Sequence, residues 1–219
     1  ANYNKEHNNL ESVLFDLNQC VQLDSLNSDF HYSVAEIYFE LSKRKNANGK
    51  YPSLVKNHLT KAIELDDKDQ RPQALLGELM LAYAKYKEAI DYFNTSLKIN
   101  YNQAKTHMLM GYAFKQLGQD DNAINCFRNS INVDPEFKEG FVQLGQMFHI
   151  KGDTSAVLYY DNALQLDSTD EMTLYNKALF YQSTLNWNAA LKAYSDLHKV
   201  NYTHSSGHYN IGFIHMELG

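Results

Sequence analysis

The sequence predicts an all-α fold of antiparallel helix hairpins stacked side by side, about 12 helices in all. Three observations carry that prediction. Only 3 prolines and 10 glycines occur in 219 residues, so long helices are free to form. Hydrophobic residues, 44% of the chain, recur at helical spacing and suffice to bury a core. A five-residue phrase of small, apolar, polar, apolar and acidic or amide character also returns. It reads Cys20-Val21-Gln22-Leu23-Asp24 first. It returns at Ala62 to Asp66, Ser96 to Asn100, Ser130 to Asp134 and Ala163 to Asp167, with a weaker copy at Leu197 to Asn201. The steps between copies are 42, 34, 34, 33 and 34 residues. A fixed period of this size marks a repeat array, in which each unit buries its apolar face against its neighbours.

Residues 1–27 read as a half-repeat, with 8–23 as the second helix of a preceding unit. The first full repeat, about 28–69, holds His31, Val34, Ala35 and Tyr38, then Val55, Leu59 and Ala62. Its step of 42 rather than 34 residues falls in the polar, basic stretch Ser42–Lys50, which predicts an extended hairpin loop. Repeat 70–103 carries Leu76, Gly77, Met80, Tyr86, Ala89 and Phe93. Repeat 104–137 carries His107, Met110, Gly111, Phe114, Gly118, Ala123, Phe127 and Pro135. Repeat 138–170 carries Phe141, Leu144, Gly145, Phe148, Gly152, Ala156 and Tyr160, and is one residue short at Gly152–Ala156, which predicts a tightened turn. Repeat 171–204 is looser, with Leu174, Ala178, Tyr181, Trp187, Ala190 and Tyr194. A half-repeat at 205–219 opens with Ile211 and Gly212. The whole of 1–219 is read as a single array. A glycine inside a helix costs about 1 kcal/mol relative to alanine. Its return at 77, 111, 145 and 212 predicts close packing there, with the aromatics at 93, 127, 160 and 194 filling the space opposite.

These residues resemble the tetratricopeptide repeat (TPR), whose pattern is aromatic-x2-Leu-Gly-x2-Tyr, then Ala-x3-Phe and a closing Pro. The resemblance covers nearly the whole chain. It implies a right-handed α-solenoid whose first helices line a concave side. Phrases such as Tyr159 to Asp167 resemble bacterial TPR proteins, some of them envelope lipoproteins.

The net charge of −6, with Lys and Arg dispersed, argues against a nucleic-acid partner and against docking on anionic lipid. No apolar run approaches the roughly 18 residues of a membrane span, so direct membrane insertion is not expected. The chain begins at Ala1 without a signal peptide, so any address is expected to have been removed or never included. The compartment is left open between bacterial cytoplasm and a periplasmic or envelope lipoprotein setting. Cys20 and Cys126 form no disulfide framework and read as small packing residues.

His204, His208 and His215 lie on one helix face, at spacings that invite a metal reading. His208, however, shares its repeat position with His31 and His107, which predicts packing histidines with one ring nitrogen satisfied. No metal, cofactor or catalytic site is expected: no nucleophile–base pair, phosphate loop, HExxH or CxxC occurs. The chain is read as a non-enzyme.

The first-helix face turned away from the packing nominates a groove. Its candidate ligand-binding residues are Tyr32, Glu36, Phe39, Glu78, Leu81, Met108, Tyr112, Lys115, Gln146, His149, Tyr175, Leu179, Gln182, Tyr209 and Phe213, several of which also pack between neighbouring helices. Arg71 and Lys105 lie on the same face. Some relatives clamp a C-terminal carboxylate with basic residues on successive first helices. That basic set reads as missing here, and the expected ligand is a peptide with apolar anchors and a basic stretch facing Glu36, Glu40 and Glu78. The leading function is a scaffold binding proteins or peptides. An interaction arm of a larger enzyme or regulator, and self-association through residues 204–218, are the alternatives.

Overall fold

The computed structural model describes residues 2–43 and 49–219, with side chains from Leu10 onward. Among the described residues there are twelve helices and no strand. They are α1 (Asn2–Leu23), α2 (Ser28–Ser42), α3 (Tyr51–Leu65), α4 (Arg71–Ala82), α5 (Tyr86–Ile99) and α6 (Ala104–Gln116), followed by α7 (Asp120–Val133), α8 (Lys138–Ile150), α9 (Ser155–Leu166), α10 (Glu171–Ser183), α11 (Trp187–Val200) and α12 (Ser205–Leu218). The chain divides into two compact units, one ending at Leu117 and the other starting at Gly118. No described helix is long and apolar enough to cross a membrane.

The recurring phrase has a local physical cause. Its last residue is an Asp or Asn whose side chain accepts the backbone N–H two residues on. The bonds run Leu26 to Asp24 (3.2 Å), Lys68 to Asp66, Asn102 to Asn100, Glu136 to Asp134 and Thr203 to Asn201 (each 3.0 Å), and Thr169 to Asp167 (3.1 Å). Such Asx turns let a short polar side chain replace the next helical bond, so the helix stops and the chain turns. Asp66, Asn100, Asp134, Asp167 and Asn201 accordingly have extended backbones.

The other end of the hairpins stops differently. Ala84, Gly118, Gly152 and Leu185 all have left-handed backbones, with φ of 55°, 70°, 67° and 58°. At 84, 152 and 185 the following N–H reaches back five residues, as in Lys85 to Met80 (2.9 Å), Asp153 to Phe148 (2.9 Å) and Asn186 to Tyr181 (2.8 Å). This satisfies carbonyls that the helix end leaves open. Glycine suits the position, whereas an L-residue there costs roughly 1–2 kcal/mol. Leu185 is 68% exposed and contributes little packing in return. Leu185→Gly is therefore expected to stabilise the protein by about 0.5–1 kcal/mol in urea unfolding, after the entropy gained by the unfolded chain. A loss of stability would contradict that account.

In unit 1, α2 packs on α3 and α4 on α5, with α2, α4 and α6 running alongside one another. Its core includes Val34, Val55, Leu59, Leu79 and Phe93. In unit 2, α8 packs on α9 and α10 on α11, around Leu144, Tyr160, Phe180, Tyr194 and Leu197. Gly77 and Gly145 are required by rings rather than by neighbouring backbone. A Cβ at Gly77 would lie 2.5 Å from Phe93, and one at Gly145 the same distance from Tyr160.

Three expectations need correction or restriction. Gly212 is not closely packed: a Cβ there would meet nothing within 4 Å. At Gly77 and Gly145 the covering ring comes from the next helix, α5 and α9 respectively. The missing residue of repeat 138–170 does not tighten its turn. It shortens α9 to 12 residues, against 14 in α5, α7 and α11. The first turn of α9 is closed instead by three-residue bonds, Ala156 to Asp153 (3.0 Å) and Val157 to Thr154 (3.1 Å). The centre of the predicted loop, residues 44–48, lies outside the described residues.

Candidate functional site

Unit 1 has a cleft of about 430 Å³ across α2, α4 and α6. Helical spacing puts Tyr32, Glu36, Phe39, Glu40 and Lys43 on one face of the α2 segment, and Arg71, Leu75 and Glu78 on α4. Lys105 and Thr106 come from the first turn of α6. The Tyr32 hydroxyl donates to Glu36 at 2.7 Å, and the Arg71 guanidinium stands 4.8 Å over the Tyr32 ring. Burial, then the bond to Glu36, pushes the Tyr32 phenol well above its usual pKa. It therefore stays a neutral donor.

Among the described residues, each cation of the cleft is already engaged. Arg71 bonds Asp69 at 2.8–3.0 Å and also Asp29, and these two carboxylates hold its pKa above the ordinary arginine value. Lys105 pairs with Glu78 at 2.6 Å. Lys43 pairs with Glu40 at 2.6 Å and sits 4.3 Å over the Phe39 ring. Lys43, Arg71 and Lys105 line one cleft from three successive first-helix segments, but each faces a carboxylate of the chain itself. Glu36 differs from the other carboxylates, because its hydrogen-bond partner is a neutral hydroxyl.

Tyr32, Glu36, Phe39 and Glu78 are brought together in this cleft, although Phe39 is only 4% exposed and acts as a floor. Leu81, Met108 and Lys115 are half-buried and Tyr112 is exposed, all outside its lining. Sequence reasoning missed Lys43 and Asp69. The three-residue spacing of Glu40 and Lys43 was the available signal for the first.

In unit 2 several candidates serve the interior. His149 Nδ1 lies 3.4 Å from the Tyr160 hydroxyl, and the ring meets Phe180 edge-on at 5.3 Å. Gln182 accepts from the Tyr194 hydroxyl at 2.7 Å, and buried Asn210 donates to Tyr194 at 2.8 Å and to Tyr175 at 3.3 Å. Phe213 packs edge-on against Trp187 at 6.5 Å. Gln146 and Leu179 are half-buried, and Tyr209 is 75% exposed. Tyr194→Phe takes the donor from Gln182, leaves Asn210 only its longer bond to Tyr175, and is expected to cost about 1–3 kcal/mol. An unchanged urea midpoint would count against this network.

The packing histidines share one geometry. His31, His107 and His208 direct Nε2 at the carbonyls of Ser25 (3.2 Å), Tyr101 (3.0 Å) and Tyr202 (2.6 Å). A carbonyl only accepts, so Nε2 carries the proton in each. Each accepting carbonyl belongs to the middle residue of an Asx turn. His198, rather than His215, joins His208, with ring centroids 4.0 Å apart. No group of three or more His, Cys, Asp or Glu among the described residues is arranged to hold a metal.

A tetratricopeptide repeat family model matches residues 104–137. The fold is that of PilW, described as a widely conserved type IV pilus biogenesis factor, with a TM-score of 0.77 at 16% identity over 94% of this chain and 92% of that one. It is likewise similar to YrrB, described as a TPR protein with an unusual peptide-binding site, with a TM-score of 0.68 at 16% identity over 89% of this chain and 96% of that one. The fold is thus that of tetratricopeptide-repeat proteins, and residues 104–137 match the repeat itself. Among curated relatives, the Protein CTR9 homolog of Arabidopsis thaliana is 30% identical over 83 residues, 38% of this chain. The chain spans 8%, 28% and 25% of the length of the first three such relatives.

Proposed function

We propose that this chain is a non-enzymatic scaffold that binds an extended peptide in the α2–α4–α6 cleft of unit 1. The observation that carries the reading is the cleft's charge state. Among the described residues, every cation lining it is neutralised by a carboxylate of the chain, while Glu36 bonds only the Tyr32 hydroxyl. The ligand that fits supplies a Lys or Arg side chain to Glu36 and an apolar or aromatic group beside Tyr32. Exposed ion pairs are worth only about 0–1 kcal/mol, so Lys105–Glu78 and Lys43–Glu40 yield readily to a competing ligand. The peptide-binding site named for YrrB supports the general reading.

Selection of random dodecapeptides on the immobilised protein tests it. Recovered sequences are expected to share a cation, and Glu36→Lys is expected to weaken them by about tenfold or more, the equivalent of roughly 1.4 kcal/mol. Cation-free sequences, or binding indifferent to both Glu36→Lys and Tyr32→Ala, would overturn the reading.

The small share of its relatives that this chain spans favours a second reading, an interaction arm within a larger protein. Self-association through residues 204–218 is supported by the exposure of Tyr209, Met216 and Leu218. A monomer by light scattering at high concentration would sink that last idea. A bacterial source belongs to the same reading and rests on the style of the sequence.

A further inference from the structure

We infer that a different, apolar pocket on unit 1 docks a short acidic segment of a partner protein, which inserts one large apolar side chain. The inference goes beyond the peptide cleft and uses none of its residues. The pocket holds about 270 Å³ and lies between the start of α3, the end of α4 and the start of α5. Pro52, Leu79, Met80, Tyr83 and Tyr92 form most of its wall. Leu79 and Met80 are buried and make a fixed apolar floor, while Tyr83 is 52% exposed and leaves one side open. A concave apolar site with a few polar groups at its rim is the general form of a specific binding pocket.

The repeat itself shows that the fold does not demand this surface. Two steps of 34 residues beyond Tyr83 stands Lys151, which pairs with Asp121 at 3.5 Å in a wholly polar setting. The aromatic at 83 is therefore particular to this hairpin. Ala84, directly after it, also holds the left-handed turn that the corresponding Gly118 and Gly152 hold more cheaply. Isolated exposed apolar residues need no explanation, but a walled pocket with a buried floor does.

Charge selects the occupant. Lys85 at the rim pairs with Glu88 at 3.1 Å. Lys56, also lining the pocket, makes no ion pair among the described residues, and the first turn of α3 on the same wall contains no acidic residue. The unneutralised charge is positive, opposite to that at Glu36 in the cleft. An apolar anchor flanked by Asp or Glu complements it, with the carboxylate meeting the Lys56 ammonium and the anchor lying against Tyr83 and Met80.

Two synthetic peptides test this: acetyl-Glu-Glu-Phe-Glu-Glu-amide and its counterpart with Lys in place of every Glu. Each is titrated into the full ¹⁵N-labelled chain by NMR. The acidic peptide is expected to move the amide signals of Tyr83, Lys85 and Tyr92, and to bind at least about fivefold more tightly than the basic one. Lys56→Glu should abolish or invert that preference. Tyr83→Ser should weaken the acidic peptide about fivefold or more with no change in Tm; if Tm falls, Lys56→Glu alone decides. No signal change at millimolar peptide, equal binding of the two peptides, or shifts confined to α2 and α6 would each overturn the proposal.

Discussion

Gly145→Ala is expected to destabilise the protein by about 1–2 kcal/mol, whereas Gly212→Ala is expected to stabilise it by about 0.5–1 kcal/mol. The same exchange at the same repeat position thus takes opposite signs. At 145 the new methyl would lie 2.5 Å from the ring of Tyr160, which is fully buried. Overpacking a closed core costs roughly 1–3 kcal/mol, which outweighs the helix preference of alanine, about 1 kcal/mol. At 212 the methyl meets nothing within 4 Å, and only the helix preference remains. For a chain of this length each kcal/mol moves Tm by about 2–4 °C, so calorimetry resolves both effects. In a Tyr160→Leu background the Gly145→Ala penalty should shrink, because the rigid ring is gone. Equal effects at 145 and 212 would show that ring contact is not what the glycine serves.

Mild acid is the second strong perturbation. His58, His107, His149 and His198 are all held below the usual imidazole pKa of 6.5, chiefly because burial disfavours the cation. His31 adds repulsion at His58, and His208 and His204 add it at His198. His107 Nδ1 and His198 Nε2 are enclosed without a protein partner, so a proton on either has no acceptor there. Below pH 6.5 the unfolded chain binds more protons at these sites than the folded one, so stability must fall as pH falls. The loss begins near pH 6.5 and continues downward. The Asp167 carboxyl, held near 2 by the Lys138 ammonium and the Thr169 donors, loses its contribution only below its ordinary value of 3.8. Histidines therefore dominate between about pH 6.5 and 4. Tm measured at pH 7.5, 6.0 and 5.0 should decline, and His107→Phe should flatten the decline. A Tm flat across that range would refute the assignment.

The period and the aromatic residues opposite Gly77 and Gly145 were legible because each is local or recurs in register. The phrase ending at Asp24, Asp66 or Asn100 marked the repeat, but the Asx turn it makes emerged only from the side-chain bonds to the N–H two residues on. The cleft was only partly legible. Arg71 reaches Asp29 across 42 residues, and Lys105 reaches Glu78 across 27. Long flexible side chains choose partners by tertiary proximity, which spacing along one helix does not encode. His149 and Gln182 were nominated for a groove because they occupy the right face. Their commitment to Tyr160 and Tyr194 depends on the hydroxyl of the following helix. Where that helix supplies Phe93 instead, the residue at the corresponding position is Leu81, which needs no acceptor.

That pairing bears on how such a chain is inherited. Tyr160 and His149, like Tyr194 and Gln182, lie within one hairpin, 11 and 12 residues apart. A duplication or exchange with breakpoints at the Asx turns moves ring and partner together as a cassette. A breakpoint inside a hairpin would set a tyrosine hydroxyl against a leucine and strand a buried donor. Recombination between the repeats of this gene should therefore leave viable joints at Asp66, Asn100, Asp134 and Asp167, and few in the turns at Ala84, Gly152 and Leu185.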